Sequence, residues 1–124
     1  MTTTTPISET ASVETSAALG DKVSGYWNTR AEGYSLRTAD ELNGPRGAHW
    51  RERLLSNLRG VPPGGSVLDV GCGPALLAIT AARCGWKAYG CDSSPEMLRR
   101  ALENAKTAGA EVTFCQCDAA ALPF

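Results

Sequence analysis

The stretch Ser66 to Asp92, SVLDVGCGPALLAITAARCGWKAYGCD, decides the fold. Its first five residues form a short run rich in β-branched side chains and closed by Gly71, which reads as a buried strand. Pro74 to Arg83 reads as a helix with proline in its first turn and Gly85 just past its end, the usual asymmetry of helix termini. Lys87 to Cys91 reads as a second strand. Strand, glycine turn, helix and strand in so short a span make a βαβ unit with parallel strands.

Toward the carboxyl end, Ser93-Ser94-Pro95-Glu96 opens another helix, with Ser93 and Glu96 spaced as a capping box. That helix carries Met97, Leu98, Ala101, Leu102 and Ala105 on one face and ends near Gly109. Glu111 to Cys117 reads as a third strand, with Val112, Phe114 and Gln116 on one side and Thr113, Cys115 and Cys117 on the other. The expected class is α/β, a parallel sheet flanked by helices. At Ala121-Leu122-Pro123-Phe124 a further βα unit is expected to begin, and the first strand keeps one unpaired edge.

Toward the amino end, Val61-Pro62-Pro63-Gly64-Gly65 forms an elbow after a helix over Ala48 to Leu58, whose Trp50, Leu54, Leu55 and Leu58 share one face. Asn43-Gly44-Pro45 is turn chemistry. Lys22 to Tyr34 is expected to form a turn or two of helix and then a loop near Gly33. Residues 1–20, rich in Thr and Ser, read as a disordered tail.

Bulk composition bounds the function. A chain of 124 residues suits one domain, and 43% hydrophobic with 20% charged residues is ordinary for a globular protein. A net charge of -1 gives no electrostatic footprint for nucleic acid or an anionic membrane, so neither is expected as a partner. The apolar stretch from Ala75 to Ala82 is broken by Thr80 and stopped by Arg83, too short to cross a bilayer. The leader lacks Lys, Arg and an apolar core, which argues against a secretory signal and sets a cytoplasmic expectation. The five cysteines, Cys72, Cys84, Cys91, Cys115 and Cys117, then read as reduced. Cys115 and Cys117 alternate onto one strand face but lack zinc-knuckle spacing, so no metal is expected.

The residues that carry chemistry lie at strand ends, where open parallel sheets hold their ligands. Asp69 precedes Gly71-Cys72-Gly73, Asp92 follows the second strand, and Asp118 follows the third. Gly71 and Gly73 lack a Cβ and let backbone approach a ligand. A dinucleotide fingerprint would need glycine at Leu76, and no P-loop is present. Three carboxylates disfavour phosphate and suit a cationic ligand with a ribose diol, for which Asp92 has the expected position. Each acid alone has a less favoured reading as a satisfied strand-end residue; their convergence is the sharper signal. Met97 reads equally as cavity wall or core, Tyr26, Trp27 and Tyr34 as lid or packing aromatics, and His49 as an exposed helix residue.

VLDVGCGPALLAITAARCGWKAYGCDSSPEML and VTFCQCDAAALPF together resemble the first three motifs of class I S-adenosylmethionine-dependent methyltransferases, in particular the small-molecule, methyltransferase-11-like group. The resemblance implies a seven-stranded Rossmann-like sheet of which this chain holds strands 3-2-1. It implies S-adenosylmethionine as cofactor, with in-line methyl transfer to a small-molecule acceptor. Asp69 would face the methionyl amino group, and the backbone of Gly71, Cys72 and Gly73 the methionyl moiety. Asp92, with Ser93 beside it, would accept the ribose hydroxyls. Met97 would flank adenine, while Asp118 and the Ala119 amide would read its edge. YWNTRAEGY resembles a lid in which Tyr26, Arg30 and Tyr34 close over the sulfonium. Ala75 stands where the family usually has a third glycine. Residues 21–60 would then be a helical lid region and residues 61–124 the first half of the cofactor-binding domain. No catalytic residue is assigned. The alternative expectation is an inactive cofactor-binding fragment that self-associates through the open edge of its first strand.

Overall fold

The computed structural model describes residues 17–122, with side chains from residue 22 onward. Helices α1 (Ala17–Asn28), α2 (Ala31–Asn43) and α3 (Arg46–Asn57) precede strand β1 (Ser66–Val70). Helix α4 (Leu76–Arg83), strand β2 (Lys87–Asp92), helix α5 (Pro95–Ala108) and strand β3 (Val112–Gln116) follow. The strands form one parallel sheet in the order β1-β2-β3, with Val67 opposite Ala88 and Ala88 opposite Val112. This is the α/β arrangement expected from the sequence.

Helices α4 and α5 cover one face of the sheet. Ala78 and Ile79 of α4, Leu98, Ala101 and Ala105 of α5, and Phe114 of β3 form the buried core with Cys72 and Ala75. Gly90 lets these layers close: a Cβ there would come within 3.0 Å of both the Cys72 sulfur and the Phe114 ring. On the opposite face, Cys91, Cys115 and Cys117 pack together in the alternation expected of β3. All three are free thiols.

Strand β1 is not buried as its composition suggested. It pairs on one edge only, and its outward residues Leu68 and Val70 remain 36% and 45% exposed. On α5, Leu102 is exposed, because it lies at the margin of the apolar stripe while Met97, Leu98, Ala101 and Ala105 are buried.

The amino-terminal helices pack on α4 and α5. Ala31, Ser35 and Thr38 of α2 are buried there, whereas α3 buries no residue completely. The chain breaks between helices at Thr29–Arg30, not near Gly33, which lies in the first turn of α2. Packing of α2 against α5 outweighs the roughly 1 kcal/mol helix penalty of one glycine. Residues 17–20 lie in helix α1 and not in a disordered tail. The rest of the expected tail lies outside the described residues. Asn43-Gly44-Pro45 turns the chain between α2 and α3 as expected.

Candidate functional site

The carboxyl ends of the three strands open onto one cavity of about 620 Å³, within the usual range of small-molecule sites. The glycine loop forms its first wall. Gly71 and Gly73 take φ of +70° and +53°, and Ala75 takes +78°. Ala75 is the only non-glycine with positive φ among the described residues, a conformation costing an L-residue about 1 kcal/mol. Its methyl is fully buried in the core, so packing holds it there. Ala75 is therefore the residue that caps α4. Pro74 stays outside the helix, in the turn before it, in contrast to its expected place in the first helical turn.

Several polar contacts fix this loop. The Cys72 amide donates to the Cys91 carbonyl at 2.9 Å, stitching the loop to the end of β2. The Asn104 amide group of α5 donates to the Pro74 carbonyl at 3.0 Å and to the Ser35 hydroxyl at 3.2 Å. The Gly73 amide donates to Asp92 Oδ2 at 2.9 Å.

Asp92 forms the second wall and is the hub of the site. Its Oδ1 accepts the Ser94 amide at 2.9 Å, so both carboxylate oxygens are oriented by backbone donors from two different loops. Each oxygen keeps a further lone pair for a ligand. Ser94, not Ser93, caps α5, accepting the Met97 amide at 3.1 Å. Pro95 at the first helical position explains this choice, because proline is favoured immediately after the cap.

Asp118 stands at the third strand end. The Cys117 amide donates to the Asp92 carbonyl at 3.1 Å, and Asp118 Oδ1 accepts the Ala120 amide at 2.9 Å in a tight turn. Ala119 lines the cavity. Its amide has no hydrogen-bond partner among the described residues.

The cavity brings together Gly71, Cys72, Gly73, Asp92, Ser93, Met97, Asp118, Ala119 and Tyr34 from the expected set. Asp69, Tyr26 and Arg30 do not line it. Asp69 lies on the helix-covered face, where burial raises its pKa to about 6. The backbone amide of Ala78 in α4 opposes that rise, and the Asp92 charge adds to it. Arg30 stacks 3.5 Å from the Tyr26 ring and donates to the Tyr26 carbonyl, so the pair turns away from the cavity. A helix that runs unbroken to Asn28 rotates Val23 and Trp27 inward instead. Their i, i+4 spacing is the signal that could have found them. Val70, Pro74, Cys91 and Cys117 complete the lining.

Among the described residues, the charged side chains on the wall are those of Asp92 and Asp118. Burial raises the pKa of Cys72, helped by Asp69 and Asp92, and burial likewise raises Cys91 and Cys117. Those thiols are therefore neutral at physiological pH, and the site is anionic with a soft sulfur floor. Among the described residues no group of three or more His, Cys, Asp or Glu is arranged to hold a metal ion. No described helix is long and apolar enough to cross a membrane.

Comparison with known proteins agrees with this geometry. The family model for a methyltransferase domain matches residues 67–124. An uncharacterized protein of Mycobacterium bovis is 38% identical over 86 residues, covering 69% of this chain and 30% of that protein. A ribosomal protein L11 methyltransferase of Paraburkholderia xenovorans is 42% identical over 76 residues, covering 59% of this chain and 25% of that enzyme. The crystal structure of magnesium protoporphyrin IX methyltransferase from Synechocystis, with bound SAH, superposes with a TM-score of 0.62 at 26% identity. It covers 79% of this chain and 51% of that one. The match thus spans less than a third of these curated relatives.

Proposed function

We propose, from the premise that this chain carries part of an S-adenosylmethionine-dependent methyltransferase domain, that its strand-end cavity binds that cofactor and that the whole protein methylates a small molecule. The observation that carries the reading is Asp92. Its carboxylate is held by the Gly73 and Ser94 amides at the mouth of the cavity, with lone pairs left for a diol.

The residues present fit the cofactor. Asp92 would accept the ribose hydroxyls, with Ser93 beside it. Met97, buried beneath Gly73, would flank the adenine, and Asp118 with the Ala119 amide would meet the adenine edge. The backbone of Gly71, Cys72 and Gly73 would lie against the methionyl end. Asp69 would act through its charge from behind the loop, where it lies within reach of the Asp92 charge. Tyr34 and Trp27 close the open side, a role taken from Tyr26 and Arg30 by the orientation of α1.

When bound, S-adenosylmethionine supplies a methyl group on a sulfonium and departs as a neutral thioether. The reaction thus carries its own leaving group and asks the protein for proximity and orientation. The carboxylates favour a cationic cofactor, and the rigid loop sets its direction. An apolar rim of Val23, Trp27 and Tyr34 supports a compact acceptor. Two of the relatives named above are a ribosomal protein L11 methyltransferase and a magnesium protoporphyrin IX methyltransferase, acceptors of different size. Five free thiols support a reducing, cytoplasmic setting. The exposed edge of β1 supports self-association as a second reading, to be read as a concentration-dependent mass by light scattering.

Calorimetric titration of the full chain with S-adenosylhomocysteine tests the cofactor reading. Saturable binding is expected, weakened about tenfold by Asp92→Ala, the worth of one hydrogen bond to a charged group. A chain that circular dichroism shows folded, yet binds nothing, overturns it.

A further inference from the structure

Polar contacts tie helix α1 over the cavity. None of its described side chains is fully buried. Val23, Ser24, Trp27 and Asn28 fall at i, i+1, i+4 and i+5 and share one face of the helix. Val23 and Trp27 line the cavity. Ser24 and Asn28 bind the loop that opens α5.

These contacts are specific. Asn28 Oδ1 accepts both the Ser94 hydroxyl and, at 3.2 Å, the Glu96 amide. Ser94 is completely buried, and its hydroxyl in turn accepts the Met97 amide. Two of the donors left orphaned at the start of α5 are thus satisfied, one by the helix's own cap and one by a residue 68 positions earlier. The Ser24 hydroxyl donates to the Ser93 carbonyl at 2.9 Å as a second tie. A continuous chain of hydrogen bonds therefore runs from Gly73 through Asp92 and Ser94 to Asn28.

We infer that Asn28 is a positioning residue that latches α1 onto the Asp92–Ser94 loop, so that docking of α1 and occupation of the cavity stabilise each other. The inference rests on the cofactor reading above for the identity of the occupant, and on the hydrogen bonds alone for the latch. A ligand held by Asp92 orders the loop to which Asn28 binds, and α1 in turn places Val23 and Trp27 against that ligand. Without the Asn28 acceptor, the Glu96 amide loses its partner, and the ligand itself must bear the ordering of α1. That burden appears as weaker apparent binding.

The test compares the full chain with Asn28→Leu and Asn28→Asp, by S-adenosylhomocysteine titration, ligand dissociation rate, and amide exchange of residues 17–28 without ligand. Asn28→Leu is expected to raise Kd about tenfold, chiefly through faster dissociation, and to speed exchange of α1 by a similar factor. Asn28→Asp keeps an acceptor at the positive end of α5 and is expected to stay near wild type on all three. A merely structural role would lower thermal stability and leave the dissociation rate of the folded variant unchanged. Ser24→Ala cuts the second tie while sparing the α5 cap, shifts the readouts in the same direction, and decides the matter if Asn28→Leu does not fold. Wild-type affinity, dissociation and exchange in a folded Asn28→Leu chain overturn the latch. If the unaltered chain binds no S-adenosylhomocysteine, the cofactor reading fails separately, and exchange in the ligand-free chain still decides the latch.

Discussion

The sheet half of the molecule and its helical cap face the same cavity but are held by different forces. From Ser66 onward, Ile79, Leu98 and Phe114 share one buried core, and Gly90 of β2 leaves no room for a Cβ beside the Phe114 ring. In the cap, α1 and α3 bury no described residue completely, and only Ala31, Ser35 and Thr38 of α2 do so. One half is fixed by apolar burial that no ligand alters. In the other, α1 is tied by a few hydrogen bonds that share their loop with the site. The difference teaches that the rigid wall sets which ligand fits, while the cap responds to whether it is there.

Leu98→Ala should give the largest effect, a loss of about 3 kcal/mol by urea unfolding, because it opens a cavity in the core. Leu55→Ala on α3 should change stability by less than about 0.5 kcal/mol. Comparable losses at the two sites would break the contrast.

Asp69 sharpens it, being the buried charge of the rigid half. Its folded pKa of about 6 lies above the ordinary 3.8. Its contribution to stability is therefore full below about pH 4 and lost as pH rises toward 6. Asp69→Asn should match wild type at pH 4 and exceed it by about 2 kcal/mol at pH 7.5. An advantage that is independent of pH would remove the charge from the explanation.

The smallest effects come from one substitution made in both halves. Gly90→Ala forces a methyl against Cys72 and Phe114 and should cost about 1.5 kcal/mol. Gly25→Ala in α1 meets no atom within 4 Å and should raise helix stability by about 0.5 kcal/mol. Thermal melts of the two variants read the opposite signs directly.

Most of the sheet half was legible in the sequence because its signals are local. Gly71, Gly73, Gly85 and Gly109 punctuate the chain, and short runs with few charges mark the strands beside them. The three strand-end regions followed from that punctuation, and two of the three acids, Asp92 and Asp118, reach the cavity. What was not legible depends on rotation or on distant packing. Tyr26 and Trp27 are neighbours, yet a helix turns about 100° per residue, so the position of the helix end decides which of them faces inward. Gly33 suggested a loop that contacts with α5 override. Asp69 reads as a site acid from its place in the strand, and only the fold shows α4 above it. Ser94 was open to inference, since Pro95 after it is itself a cap signal.

The strand order carries a last consequence, for the history of the chain and not its chemistry. Because β1, β2 and β3 lie side by side in the order of synthesis, each strand pairs with the one made just before it. These three strands can pair in order as the chain leaves the ribosome, each step closing one crossover that carries a single helix.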